Sequence, residues 1–281
     1  MREQAREVQG GGTWGSREAA AEWRRGAAAR LQAFGPATEV MLDLARVAEG
    51  SRVLDVGAGA GDSTLVAARR VGSTGRVLAT DVSASMLEVA AELARQAGLT
   101  NVDTRVVDAQ RLDLAPDSFD AAVSRNCLML IPDYRRALTS IRRVLKPGGR
   151  FAAIVFAAPD RCPYLSLPHA IVFRLGRFTS PPPEEFGEFR LGAPGVLEDA
   201  FGTASFREIS VHTVPARRRF LSLAEAMQYA RGPLPLRELM ARLSRAEQEQ
   251  ARAEIERALA RFAGPQGYDS PCELLLGVGT K

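Results

Sequence analysis

The pattern of apolar runs along this 281-residue chain predicts an α/β fold built on a mostly parallel, doubly wound sheet. Three observations carry the prediction. Arg52–Val56, Arg76–Thr80, Asp103–Val107, Phe119–Ser124 and Arg150–Phe156 are short runs rich in Val, Ile, Leu and Phe, with the length and composition of strands. Helix-like stretches at about 62–71, 84–97 and 132–145 lie between them. The first apolar run also empties into alternating glycines, Gly57-Ala58-Gly59-Ala60-Gly61, where the backbone can turn tightly. Strand, helix and strand in that order imply right-handed crossovers.

Each element has its own signals. Residues 1–16 are polar, and Gly10-Gly11-Gly12 reads as a flexible arm. Residues 16–34 read as a helix capped by Ser16, with Trp23, Ala27, Leu31 and Phe34 along one side. A second helix is expected over about 36–48, opened by Pro36, a favoured first-turn residue. In the 84–97 helix, Ser85 and Glu88 have capping-box spacing and Gly98 marks the end. The 132–145 helix begins at Pro132, carries Tyr134, Leu138, Ile141 and Leu145 on one face, and stops at Lys146-Pro147-Gly148-Gly149. Past Phe156 the alternation breaks. Residues 157–204 are rich in proline, glycine and phenylalanine, Phe206–Val214 alternates like a strand, 222–263 is mainly helical, and Glu273–Val278 is a last strand. This divides the chain into an arm with helices over 1–48, a candidate lid, and a domain over 49–281. Insertions at about 157–204 and 222–263 are expected to cover the carboxyl edge of its sheet.

Composition narrows the function classes. Hydrophobic residues make up 46% and charged residues 25%, as in an ordinary globular enzyme. No run approaches a membrane span, and the charged start lacks the apolar core of a secretory signal. Cys127, Cys162 and Cys272 are odd in number and far apart, with no CxxC and no Cys/His cluster. The expectation is therefore a cytoplasmic, thiol-reduced protein without a metal site, with monomer and homodimer both left open by the sequence. The net charge of +4 raises nucleic acid as a partner, but its distribution argues against it. The arginines of Arg237–Arg261 alternate with glutamates as on a solvated helix face, and Arg217-Arg218-Arg219 is the one tight basic cluster.

The glycine turn carries the chemistry. A dinucleotide fingerprint G-x-G-x-x-G would need glycine at position 62, where this chain has Asp62. Asp55 and Asp62 flank the loop and would repel a pyrophosphate, so a positively charged ligand without phosphate suits it better. S-adenosylmethionine has both a sulfonium and an amino group. Asp81 ends the second strand, where a carboxylate can accept both ribose hydroxyls. Asp108-Ala109-Gln110 ends the third, where Asp108 can take the adenine amino group, and Val82 and Met86 can press on the adenine faces.

The stretch 51–156 resembles the class I, ubiquinone/menaquinone-biosynthesis-like methyltransferases, through VLDVGAGAG, ATDVSASML, VVDAQRLDLAPDSFDAAVS and RRVLKPGGR. The resemblance implies a Rossmann-like sheet of seven strands with the last antiparallel. It also implies that Asp55, Gly57, Ala58, Gly59 and Gly61 line the methionine part of S-adenosylmethionine. Asp81 would then hold the ribose, Asp108 and Ala109 the adenine edge, and Asn126 would lie near the amino group. The implied activity is methyl transfer to a small, partly hydrophobic acceptor, with oxygen, nitrogen and carbon all open as the receiving atom.

Methyl transfer is an in-line displacement, so a general base is needed only if the acceptor must lose a proton. His169, in the insertion, is the candidate base, and Tyr164 and Arg125 are alternatives. His212 sits in an alternating strand and reads as structural, while Cys127 and Met129 read as core or pocket lining. Phe173, Phe178, Phe186, Phe189 and Phe201 suggest an apolar cover, and Trp14 and Trp23 either a lid or anchors for the first helix. The rival readings are a nucleic-acid methyltransferase, which lacks its D/N-P-P-Y signature here, a non-catalytic S-adenosylmethionine-binding regulator, and a nicotinamide dehydrogenase.

Overall fold

The computed structural model describes residues 15–178, 187–230 and 234–281. Its sheet runs in the order β3-β2-β1-β4-β5-β8-β6. The strands are β1 Arg52–Val56, β2 Arg76–Asp81, β3 Val102–Val106, β4 Phe119–Arg125, β5 Leu145–Phe156, β6 Arg207–Phe220 and β8 Gly267–Thr280. Strands β1 to β5 pair in parallel, and β8 runs antiparallel between β5 and β6. The doubly wound sheet with an antiparallel last strand is therefore present. A two-residue strand, β7 Ala263–Gly264, which the sequence pattern does not announce, makes a hairpin with the start of β8.

The two late strands are longer than their alternating cores. The last partner of β5 is the pair Phe156 and Leu274, yet the β6–β8 ladder continues from Pro215–Glu273 to Phe220–Tyr268. Six further residues at about 3.3 Å each carry a two-stranded ribbon roughly 20 Å past the carboxyl edge of β5. Proline is tolerated at position 215 because β6 is an edge strand.

The helices are α1 Arg17–Arg25, α2 Ala27–Leu44, α3 Asp62–Val71, α4 Ala84–Gln96, α5 Tyr134–Val144, α6 Pro163–Gly176, α7 Val196–Thr203, α8 Leu223–Ala230, α9 Leu234–Ala241 and α10 Arg245–Ala260. Two expectations at the amino end are overturned. The break falls at Gly26, and Pro36 lies inside α2 rather than opening a helix. Proline there removes only the hydrogen bond to the Gln32 carbonyl, and both Gln32 and Pro36 are exposed, so water can satisfy that oxygen. Leu31, expected on the buried side, is 53% exposed. Ser16 does cap α1, accepting from the Ala19 amide at 3.0 Å. In α4 the cap is Ser83, whose hydroxyl accepts from the Met86 amide at 3.2 Å, rather than the Ser85 and Glu88 pair.

Among the described residues two large apolar cores form, with two small clusters beside them. The larger lies on both faces of the sheet, with Val53, Leu54, Val123 and Phe151 to Val155 fully buried, each worth roughly 1.5–3 kcal/mol for a large side chain. Helix α7 belongs to it: Phe201 stacks on Phe151 at 5.4 Å and meets Phe206 at a tilt at 5.3 Å, so this phenylalanine lies in the sheet core and does not cover a site. The second core gathers α6, α8, α10 and the ribbon around Tyr164, Val172, Phe220, Met227, Ile255 and Tyr268. Phe178 packs against this second core and meets Phe173 edge-on at 6.0 Å. Phe186 and Trp14 fall outside the described residues.

Candidate functional site

The glycine turn joins β1 to α3 at the carboxyl edge of the sheet, beside the topological switch between β1 and β4 where open α/β sheets bind ligands. Its backbone is bolted to β2: the Gly57 and Ala58 amides both donate to the Thr80 carbonyl, at 2.8 and 2.9 Å. Gly57, Gly59 and Gly61 all have positive φ, at 69°, 55° and 88°. A Cβ on Gly57 would stand 2.0 Å from Cys127 Sγ, and one on Gly61 would stand 2.9 Å from the Ala90 Cβ. Glycine is required at both by conformation and by space.

Asp55 lies fully buried below this turn. Its Oδ2 accepts from Ser63 Oγ at 2.8 Å and Thr64 Oγ1 at 2.7 Å, while Oδ1 has no partner among the described residues. Burial pushes its carboxyl above the ordinary carboxylate range, against the pull of those two hydroxyls. Asp81 closes the other side: Oδ2 accepts from the Gly59 amide and Oδ1 from the Ser83 amide, both at 2.9 Å. Burial raises its carboxyl too, opposed by backbone amides. Each Asp81 oxygen keeps a lone pair for a further donor.

The other expected residues gather on the same edge. Val82 follows Asp81, half-buried, and Met86 is buried with Ala19, Ala20 and Ala60 under α1. Asp108 caps a short 3-10 turn over Ala109–Arg111, accepting from the Gln110 amide at 2.8 Å and from its side-chain nitrogen at 3.0 Å. Gln110 Oε1 accepts from the Asp133 amide at 3.1 Å, which ties this turn to α5. Asn126 leaves β4 with a φ of 54°, a conformation uncommon outside glycine, and its buried Oδ1 has no partner among the described residues. Cys127 Sγ lies over Gly57, in a setting where burial raises its thiol pKa. Met129 is buried in the sheet core.

The candidate base is not in a loop. His169 lies in α6, which starts at Pro163 and passes through Pro168. Its Nδ1 is 2.9 Å from the Leu165 carbonyl and 3.9 Å from Glu188 Oε2. As a donor to that carbonyl, Nδ1 carries the proton and Nε2 is left as the basic nitrogen. His212 is exposed and pairs with Ser210 Oγ at 3.0 Å.

Asp62 does not repel anions as its place in the sequence suggests. Its carboxylate is held by Arg30 Nε at 2.7 Å and Arg125 Nη2 at 2.9 Å, all three side chains at most about one-tenth exposed. Two guanidiniums neutralise one carboxylate, so Asp62 is no barrier to an anion. Arg30 also donates to the Trp23 carbonyl at 2.6 Å and lies 4.2 Å from the centre of the Trp23 ring. The edge of that ring in turn comes within van der Waals distance of a Cβ built on Gly59. Arg30 was invisible in the sequence as a site residue; its one signal is an arginine placed four residues before Phe34 on the side of the helix that faces the core. Among the described residues no group of three or more His, Cys, Asp or Glu side chains could hold a metal.

A sheet in this order, with a glycine turn on its carboxyl edge and acids at the ends of β1, β2 and β3, defines the fold of S-adenosylmethionine-dependent methyltransferases. Comparison agrees with this: residues 48–167 match the family model of a methyltransferase domain. The chain is 38% identical over 119 residues to the ubiquinone/menaquinone biosynthesis C-methyltransferase of Haemophilus ducreyi, covering 42% of this chain and 46% of that one. It thus spans about half the length of the curated relatives it matches. A crystal structure of a SAM-dependent methyltransferase from Aquifex aeolicus superposes with a TM-score of 0.52 at 26% identity, over 70% of this chain and 92% of that one. The YcgJ protein from Bacillus subtilis shares the fold, with a TM-score of 0.59 at 23% identity, over 87% of this chain and 97% of that one.

Proposed function

We propose that this protein uses S-adenosylmethionine to methylate a small, partly hydrophobic organic acceptor. The observation that carries the reading is the pairing of Asp81 with the Gly59 amide, which sets a ribose-type carboxylate directly against a glycine turn that has no room for side chains. The unpartnered oxygens of Asp55 and Asn126 fit a ligand that brings amino hydrogens. S-adenosylmethionine supplies a methyl group already activated by its sulfonium. The chain's own residues then bind, orient and exclude water. Asp81 accepts the ribose hydroxyls, Val82 and Met86 flank the adenine, and Asp108, Ala109 and Gln110 border its edge. Gly57, Ala58, Gly59, Gly61, Asp55 and Asn126 hold the methionine part.

Helix α1 acts as the lid. It is fixed by Ser85 Oγ, which donates to the Gly15 and Ser16 carbonyls at 3.1 and 3.2 Å, and by the exposed pair Arg24–Glu92 at 2.8 Å. The helices α6 and α8 to α10 form the cap over the acceptor side. His169 serves as base when the acceptor must lose a proton, through the Nε2 left free by the bond to Leu165. No helix among the described residues is long and apolar enough to cross a membrane. We place the protein in the cytoplasm as a monomer or homodimer without a nucleic-acid partner.

Calorimetry tests the reading. S-adenosylhomocysteine should bind at micromolar concentration and NAD should not, and Asp81→Ala should weaken the first by at least tenfold, the scale of one charge-assisted hydrogen bond. Absence of S-adenosylhomocysteine binding, or tighter NAD binding, overturns it. With an acceptor in hand, His169→Ala should keep the cofactor affinity and lower kcat; an unchanged kcat removes His169 from the mechanism.

A further inference from the structure

The basic run Arg217-Arg218-Arg219 is split by the pleat of β6. Arg217 and Arg219 turn outward and share Asp269, at 2.6 and 3.4 Å. Arg218 turns the other way, toward Phe34 of α2 and Tyr164 of α6. It sits on the projecting ribbon, opposite Ser270 and four residues past the last pair of β5, roughly 13 Å beyond the edge. Its guanidinium lies 5.4 Å from the ring of Phe34, 5.1 Å from Tyr164 and 5.4 Å from Phe220. No described carboxylate pairs with it, and its Nε is buried without a partner. Among the described residues the polar groups near it are the Tyr164 hydroxyl, which itself donates to the Ala226 carbonyl at 2.8 Å, the Tyr268 hydroxyl and the Cys272 thiol, none of them a carboxylate.

Arg218 also faces the Arg30–Asp62–Arg125 group. Burial lowers the Arg30 pKa, Asp62 opposes this, and the neighbouring charges of Arg125 and Arg218 lower it further. Arg30 and Arg125 hold the Asp62 carboxylate, and Arg218 adds a third positive charge near Arg30 without touching Asp62. A partly buried cation with no counter-ion is costly, and the cost is relieved by an anion that brings its own charge to the site. The location says whose anion. Asp81 and the glycine turn sit over β2 and β1, while Arg218 stands beyond β4 and β5, on the wall formed by β6 and β8. The aromatic rings around it suit an apolar skeleton carrying that charge.

We infer that Arg218 is the carboxylate-binding residue of the acceptor pocket, so that the methyl acceptor is a small acid with an apolar, ring-sized body. This deepens the methyltransferase reading and rests on it for the word acceptor, though not for the anion site itself. Benzoate and its neutral isostere benzamide are the probes, titrated by calorimetry into the full chain with and without saturating S-adenosylhomocysteine. Benzoate should bind wild-type protein at least tenfold more tightly than benzamide. Arg218→Met, which keeps the aliphatic stem, should weaken benzoate tenfold to a hundredfold, Arg218→Lys should weaken it less, and neither should change S-adenosylhomocysteine affinity. A thermal melt of each variant verifies folding.

Equal affinity for benzoate and benzamide, or benzoate binding untouched by Arg218→Met, overturns the inference. Loss of S-adenosylhomocysteine binding in Arg218→Met also overturns it, because the anion would then be the carboxylate of the cofactor. If wild-type protein takes benzoate through Arg218 but no S-adenosylhomocysteine, the anion site stands and the methyltransferase reading falls.

Discussion

A carboxylate sealed from water needs a partner for every lone pair, and Asp55 leaves Oδ1 without one among the described residues. Burial is the largest influence on its proton affinity and raises its pKa in the folded chain. The sign follows from linkage. A raised folded pKa means that the native state holds a proton the unfolded chain releases, so this group's contribution is favourable at low pH and is lost as pH rises through the folded value. Asp55→Asn keeps an acceptor for Ser63 and Thr64 but carries no charge. Its stability relative to wild type should therefore improve from pH 4 to pH 8, while S-adenosylhomocysteine binding weakens. Urea denaturation at the two pH values decides; a stability difference that is the same at both would mean that burial places no load on the Asp55 charge. The sequence announced Asp55 and Asp81 by their places at strand ends, because strand and loop lengths set those places. It did not announce Arg30 or Arg218, whose roles depend on contacts between elements far apart in the chain.

At the scale of elements, short-range signals were readable where the backbone itself enforces them. Gly57, Gly59 and Gly61 occupy left-handed conformations that favour glycine, and the strand–turn–helix was plain from the residues alone. The amino end was misread for a physical reason. Proline at position 36 is a good helix opener in general, but α2 is held on the sheet by Phe34, Ala37, Met41 and Leu42, and that burial outweighs one missing hydrogen bond on a wet face. The same override appears in α4, where Ser83, buried at the end of the Asp81 turn, is better placed to cap than Ser85. Ser85 is thereby freed to hold the carbonyls of residues 15 and 16, which makes one serine a link between the turn after β2 and the amino-terminal helix. The projecting ribbon was also hidden, because Pro215, Pro271 and three consecutive arginines mask the alternation of β6 and β8.

Over the whole molecule, stability is unevenly distributed, and that distribution makes a prediction about ligand response. The sheet core is fully buried along β1, β4 and β5, whereas α1 is attached by a small cluster of Ala19, Ala20, Ala60 and Met86, together with Trp23, Ser85 and exposed ion pairs. A segment with so few apolar contacts opens at low free energy, which is what a lid over a binding site requires. If α1 is the lid we propose, exchange of its backbone amides should be fast in the free protein and slow strongly when S-adenosylhomocysteine binds beneath it. Core amides that exchange only by global unfolding should slow as well, by up to about a hundredfold at a ligand concentration of 100 times Kd. The shallow groove at the opposite, amino edge of the sheet, lined by Thr139, Arg142 and Lys281, should show no local protection. Hydrogen exchange followed by mass spectrometry distinguishes the two ends. Protection centred on that groove, or an α1 as slow in the free protein as β4, would show that the amino-terminal helix is a fixed wall of the fold and that ligand entry takes another route.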